Sequence, residues 1–374
     1  MKSVGIICEY NPFHYGHIFH LKKIKEMFPN HSIILVLASS FMQRGEVSII
    51  HKWDKTKLAL LYGIDLVVEL PFAFGSQSAD IFAKGSIQIL DKLKVEYLIF
   101  GSETNNIDLF TKIVDTQIYN KDYNILVKKF LDEGLNYPTA MSLALTHFGF
   151  QKIDKPNDLL ALSYIKEIKK IHSKIKPISI LRTNDYHKLS DNHVTSASSI
   201  RILLKEKKDI SNYVPKETLK SIKPIFTDDL FSYFKYKVLT TSNLDIYETV
   251  DEGLQYRIKK YIKTCTSLNE FIDKVKTKRY TYNRIMRMII HILCNFTKEE
   301  NEKIKDITYI RVLGFNDNGK KILNEYHDKI PLIYHLKDGR DIIMDLELRA
   351  TSVYQILYKK NLLDKEYKSK PVIQ

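Results

Sequence analysis

The sequence predicts an α/β fold with a parallel β-sheet, followed by a mainly α-helical C-terminal domain. Two observations carry this. Between residues 3 and 103, short runs that are apolar throughout alternate with stretches of helical period, the pattern of strands covered on both faces of a parallel sheet. Beyond about residue 210 that rhythm stops and basic amphipathic stretches take over. The 374 residues are enough for two or three domains, and the change divides them into residues 1–210 and 211–374.

Each element has a local reason. "VGIIC" (4–8) is a first strand. "GHIFHLKKIKEMF" (16–28) is a helix, with Ile18, Leu21 and Ile24 at helical spacing. "SIILVLAS" (32–39) is a second buried strand. "HKWDKTKLALLYG" (51–63) is a helix stopped at Gly63, and "DLVVELP" (65–71) is a third strand stopped by Pro71. "SADIFAKGSIQILDKL" (78–93) is a helix and "VEYLIFGSE" (95–103) a fourth strand. Residues 105–175 read as mostly helical, and "KPISILRTN" (176–184) as a fifth strand of the same sheet. "TSASSIRILLKEKKD" (195–209) reads as a capped helix start. After residue 210 the expectation is long basic amphipathic helices. Ligands of parallel sheets bind beyond the carboxyl ends of strands, so the turns after the strands are where function is sought.

The net charge of +14 favours an anionic partner such as a nucleic acid, a nucleotide or an acidic membrane. A base bias that fills a genome with lysine codons would give the same excess. Cys8, Cys265 and Cys294 lie far apart with no CxxC pair, which argues against a cysteine zinc site or a disulfide framework. The apolar start is too short for a signal peptide, and no run approaches the roughly 20 apolar residues of a membrane span. The expectation is a soluble cytoplasmic protein with no membrane association.

The most informative stretch is "FHYGHIFH", residues 13–20, where the first strand turns into the first helix. A helix N-terminus offers unpaired N–H groups and partial positive charge to phosphate, and Gly16 lets a phosphate approach the backbone. His14 and His17, three apart, can face one side of the opening turn and donate hydrogen bonds to phosphate oxygens as charge builds there. Capping or core packing is the alternative role for both. A metal site is weaker, since no third ligand stands at suitable spacing. The second motif is "TSASSIR", 195–201. Ser196 and Ser198 can cap a helix and offer hydroxyls to phosphate, and Arg201 can grip a phosphate bidentately. "SFMQRGEVS" (40–48) also follows a strand; Gln43 and Arg44 either close over substrate or belong to an ordinary solvated loop.

The paired motifs resemble those of the HxGH nucleotidyltransferase superfamily, which implies a Rossmann-like catalytic domain for residues 1–210; Ala197 stands where a second serine is usual. "EYNPFHYGH", "SSFMQRGE", "IDLVVELPFAFGSQSAD", "FGSE", "KPNDLLALSY", "EGLQYRIKK" and "TKRYTYNRIMRMIIHIL" together resemble the bacterial tRNA(Met) cytidine acetate ligase family along nearly the whole chain. The resemblance implies ATP-dependent formation of acetyl-adenylate, then acetyl transfer to N4 of the wobble cytidine of elongator tRNA(Met). ATP is a substrate, Mg2+ is expected on its phosphates, acetate and the tRNA are the partners, and no protein partner is implied. The nucleotide would lie along Ile7, Cys8, Glu9, Tyr10, Asn11, Pro12, Phe13, His14, Tyr15, Gly16, His17, Ile18, Phe19 and His20. Gly101, Asn157 and Arg182 would complete the pocket, with Asn157 in a loop after Pro156 and with His14, His17 and Arg182 as the catalytic groups.

The tRNA site is sought in "KVKTKRYTYNRIMRM", 274–288. From Lys274 to Arg287 there are basic residues and no acidic ones. Helical geometry gathers Ile285, Met288, Ile289 and Ile292 on an apolar arc and Arg284, Arg287 and His291 opposite it. Arg279, Arg284 and Arg287 are then expected on the tRNA backbone, and Tyr280 and Tyr282 on exposed bases. Two rival readings remain: a small-molecule nucleotidyltransferase that makes a dinucleotide-like cofactor, and a non-catalytic RNA-binding protein. The first would need no large basic C-terminal half, and the second no intact histidine turn.

Overall fold

The computed structural model describes residues 1–182, 195–326, 328–329 and 331–374. Its central sheet is built on five strands, β1 (Ser3–Cys8), β2 (Ser32–Ala38), β3 (Leu66–Leu70), β4 (Tyr97–Ser102) and β5 (Lys176–Leu181), in spatial order β5-β4-β1-β2-β3. All four pairings among them are parallel. The connecting helices are α1 (Tyr15–Met27), α2 (Lys52–Leu61), α3 (Phe72–Gly75), α4 (Ala79–Lys92), α5 (Ile107–Tyr119), α6 (Lys121–Asp132), α7 (Tyr137–His147) and α8 (Pro156–Lys170). The last two residues read into the fifth strand, Thr183 and Asn184, lie outside the described residues. The strands are apolar throughout because both faces are covered. Along β2, Ile34 and Val36 enter one core while Ile33, Leu35 and Leu37 enter the other.

Helices α9 (Ala197–Lys205), α10 (Lys216–Ser221), α11 (Phe231–Thr240), α12 (Leu254–Ile262), α13 (Leu268–Val275), α14 (Tyr282–Leu293) and α15 (Lys298–Lys303) follow. They span 6 to 12 residues each, shorter than the long helices expected from the basic periodic stretches. Loops at 241–253 and 276–281 break those stretches. Helices α11 to α14 enclose their own apolar core, which includes Phe234, Phe271, Ile285 and Ile289.

The sheet does not end with the first 210 residues. Strand β6 (Ile310–Phe315) pairs antiparallel with β3. After α16 (Asp317–Tyr326), β7 (Leu332–Ile333) pairs in parallel with β6, and after α17 (Ile342–Tyr358) and α18 (Leu363–Lys368), β8 (Val372–Ile373) does the same. Strand β6 pairs with a strand far earlier in the chain, and β7 and β8 are only two residues long, so nothing local announces this part of the sheet. Among the described residues no helix is long and apolar enough to cross a membrane.

A buried ion cluster fastens this returning segment. Lys52 Nζ lies 2.6 Å from Glu69, 2.8 Å from Glu366 and 3.2 Å from Glu347. Arg311 Nη1 bridges Glu69 at 3.0 Å and Glu366 at 2.5 Å, and its guanidinium stacks over Trp53. All five charged side chains are buried. Burial, then Glu69, push the Glu347 carboxyl up to about 7. At Glu366 burial acts the same way, but Lys52 and Arg311 outweigh it and hold the carboxyl at about 2. Two cations thus share three carboxyl groups within this cluster. Lys52→Met is expected to cost about 3–5 kcal/mol of stability, the scale for removing one partner of a buried pair, as read by denaturant unfolding. A loss under about 1 kcal/mol would mean that the cluster contributes little.

Candidate active site

From β1 the chain goes to β2 and β3 on one side, and later to β4 and β5 on the other. The crevice at such a reversal opens beyond the carboxyl ends of β1 and β4. The histidine turn lies there. Tyr10 takes a left-handed φ of 47°, rare for a non-glycine residue, and packs edge-on against Phe13 and His17. The Asn11–Pro12 peptide is cis. Asn11 is pinned to the segment after β2: its Nδ2 donates to Val47 O and its Oδ1 accepts from Ile49 N. Lys55 Nζ, fully buried, donates to Glu9 O, Ala38 O and Ser39 O at 3.0, 2.7 and 2.8 Å. That one ammonium ties the ends of β1 and β2 together.

His14 caps α1. Gly16 N donates to His14 Nδ1 at 3.0 Å, and His14 N donates to His17 Nδ1 at 3.2 Å. The capping role weighed from the sequence is therefore present, and it fixes the chemistry. A ring nitrogen that accepts a hydrogen bond carries no proton, so each neutral imidazole holds its proton on Nε2. Burial lowers the His14 pKa to about 3, and the charge of Arg182 adds to this. Burial and the neighbouring imidazoles hold His17 well below its ordinary value, and burial holds His20 down to about 4. The rings of His14 and His17 are 3.9 Å apart. At neutral pH the turn thus presents two neutral Nε2–H donors at the N-terminus of α1.

Arg182 ends β5, with its N–H on Ser102 O. Its side chain lies across Gly101, where an added Cβ would fall 2.9 Å from Arg182 Cδ. Its charge bears on His14, His17, His20 and Cys8; burial pushes the Cys8 thiol up to about 12. The structure thus brings together Cys8, the histidines, Gly101 and Arg182. Ile7 lies beside Cys8 at the end of β1, Tyr15 N donates to Tyr213 O, and Ile18 packs into the core on the α1 side of the sheet. Pro12 is buried and Phe19 is partly exposed on α1.

The other expected residues are used differently. Asn157 sits in the first turn of α8, not in a loop, because Pro156 opens that helix; its Nδ2 donates to Glu103 at 2.5 Å. Ser196 caps α9 by accepting from Ser199 N. Arg201 Nη1 donates to Asn11 O and Nη2 to Glu46, each at 2.6 Å, and Nη2 reaches Ser198 at 3.3 Å. Arg201 therefore holds the histidine turn from behind through protein groups. Gln43 N donates to Glu9 at 2.7 Å, so the 40–48 segment is bonded to the turn, while Arg44 is exposed. Sequence reasoning missed Lys55, Glu103 and Asp158. Asp158 accepts from Ser102 Oγ, Thr104 Oγ1 and the N–H groups of Glu103 and Thr104, so it shapes the loop after Gly101. "FGSE" and "KPND" pair across space, and only the proline-led helix start signalled it.

The expected tRNA ridge is corrected. Tyr280 is buried, with its hydroxyl donating to Asp251 O, so it cannot stack on a base. Arg279 pairs with Glu252 at 2.6 Å, and Arg284 with Asp251 at 3.0 Å. Acids absent from the local sequence arrive from the loop before α12. His291 is buried, with Nε2 2.8 Å from Ser76 O, and burial holds its pKa down to about 4. The apolar arc of α14 is as expected.

A parallel sheet with a two-histidine turn opening its first helix defines the class: a nucleotidyltransferase of the HIGH type. The HIGH Nucleotidyl Transferase family model matches residues 1–370. The chain is 40% identical to the tRNA(Met) cytidine acetate ligase of Anoxybacillus flavithermus and 36% identical to that of Clostridium tetani, each over the full length of both chains. Two crystal structures of Thermotoga maritima TmcAL superpose over the whole chain and 99% of their own. The apo form has a TM-score of 0.91 at 28% identity, and the form with alpha-thio ATP 0.88 at 29%. The chain belongs to the tRNA(Met) cytidine acetate ligase family.

His17→Ala is expected to lower nucleotidyl transfer from ATP, read as pyrophosphate exchange, by about 100-fold or more, because its donor acts on charge developed in the transition state. ATP binding by calorimetry should change little. Near-normal exchange would remove His17 from the chemistry.

Proposed function

We propose that this protein activates acetate with ATP and transfers the acetyl group to N4 of the wobble cytidine of elongator tRNA(Met), acting in the cytoplasm without a protein partner. The observation that carries the reading is the pair of imidazoles at the head of α1, each accepting a backbone N–H on Nδ1 and both under the charge of Arg182. In a family of cytidine acetate ligases, that arrangement suits an α-phosphate under attack. The nucleotide is assigned to residues 7–20 with Gly101, Asn157 and Arg182, and Ser196, Ser198 and Arg201 support its phosphate end. Residues 1–210 carry the adenylation chemistry, and residues 211–374 meet the tRNA while also completing the sheet.

An acetate oxygen attacks the α-phosphorus, the bond to the β-phosphate bridging oxygen breaks, and pyrophosphate leaves. His14 and His17 donate to the phosphate oxygens as negative charge builds, and Arg182 offsets the charge of nucleotide and carboxylate. The cytidine amine then attacks the acetyl carbonyl, loses a proton, and AMP leaves. The target base must be splayed out of the anticodon loop to reach the crevice. Among the described residues no group of three His, Cys, Asp or Glu side chains is placed to hold a metal; Mg2+ is assigned to ATP phosphates and water, and no step is routed through it.

The test is exchange of labelled pyrophosphate into ATP without tRNA. It is expected to depend on acetate, and added tRNA(Met) should gain an acetyl group on cytidine by mass spectrometry. Exchange that ignored acetate and required a phosphorylated acceptor would favour a cofactor-making nucleotidyltransferase. No exchange at all would favour an RNA-binding protein without catalysis.

A further inference from the structure

We infer that Arg287, with Arg44 next to Gly45 on the adjoining segment, forms an anion site that receives a backbone phosphate of the RNA substrate. This rests on the reading of the protein as an RNA-acetylating enzyme and names the group that the RNA presents.

Among the described residues, three of the six basic residues from Lys274 to Arg287 are neutralised by ion pairs. Lys274 pairs with Glu270, Arg279 with Glu252 and Arg284 with Asp251. Lys276, Lys278 and Arg287 make no ion pair among the described residues; the two lysines are exposed, whereas the Nε of Arg287 is sealed from solvent without a hydrogen-bond partner. Burial, then the neighbouring Arg284, pull its pKa down to about 10. A desolvated guanidinium whose close charged neighbour is another guanidinium is costly on its own. A phosphate would supply the missing charge, and its oxygens match the guanidinium fork.

The position suits a phosphate next to the reacting base. Gly45 has a φ of +81°, and a Cβ there would fall 2.5 Å from Met286 C and 2.6 Å from Arg287 N. The tip of the 40–48 segment therefore lies flush on the backbone of α14, and glycine is required both for the turn and for the contact. Arg44, next in the chain, is exposed and has no ion pair among the described residues. The same segment reaches the histidine turn through Gln43 N on Glu9, and through Glu46, which shares Arg201 with Asn11 O. Tyr282, on the first turn of α14, is close enough to Glu46 and Arg201 to feel their charges. The ATP triphosphate is assigned to the head of α1 and is therefore not the occupant taken for Arg287.

The experiment compares full-length parent, Arg287→Ala, Arg287→Lys and Arg44→Ala. Two readouts are used: acetate-dependent pyrophosphate exchange without tRNA, and tRNA(Met) binding from 50 to 200 mM salt. Exchange should stay within about threefold of the parent. The dissociation constant for tRNA should rise several-fold in both alanine variants, and the slope of log affinity against log salt should shrink by about 0.7 for each lost single-strand phosphate contact. Arg287→Lys should keep the slope and lose only part of the affinity. Unchanged affinity and slope in the alanine variants would overturn the proposal. So would a loss confined to exchange with a raised KM for ATP, which would assign Arg287 to the nucleotide. Should Arg287→Ala fail to fold, Arg287→Lys and exposed Arg44→Ala decide by the same readouts. Failure of the underlying reading is separate: the parent itself would then show no acetate-dependent exchange.

Discussion

The N–H groups of Gly16 and His14 end on the Nδ1 atoms of His14 and His17, and those two hydrogen bonds determine what the nucleotide end of the protein can do. They set both ring orientations, and they leave the single proton of each neutral ring on Nε2. Burial supplies the other half, because an imidazolium there would lose its hydration beside the positive Arg182. The turn must hold its shape for this to work. Lys55 gathers the carbonyls at the ends of β1 and β2, Asn11 is bonded to residues 47 and 49, and Arg201 holds Asn11 O.

The same constraints join the two halves of the chain. The 40–48 segment bonds to the histidine turn at Glu9 and lies against α14 at Gly45. Beneath it, Lys52 and Arg311 share Glu69 and Glu366, so β3 of the early sheet is fastened to β6 and α18 near the C-terminus. The helical unit of α11 to α14, proposed to meet RNA, is thereby carried on the scaffold proposed to position ATP.

What the sequence revealed was what is local. Each early strand is buried on both faces and so is apolar throughout, and the histidine turn is complete within a few residues. What stayed hidden depends on distant partners. Asp251 and Glu252 neutralise Arg284 and Arg279 from some 30 residues away, so a run without acids looked like a bare cationic ridge. Tyr280 reads as an exposed aromatic until α12 and its loop cover it. β6 joins a partner strand far earlier in the chain, and Lys55 looks like one more surface lysine on a helix until three carbonyls meet it.

The central claim is the protonation state of the two imidazoles, and nitrogen-15 NMR of histidine-labelled, ligand-free protein tests it directly. The pKa values of His14 and His17 are lowered, so their neutral forms should persist as pH falls. From pH 8 to pH 5 both residues should show a bare Nδ1 and a protonated Nε2, with no titration. A proton on Nδ1 of either ring at neutral pH, or an imidazolium forming between pH 7 and 6, would contradict the account.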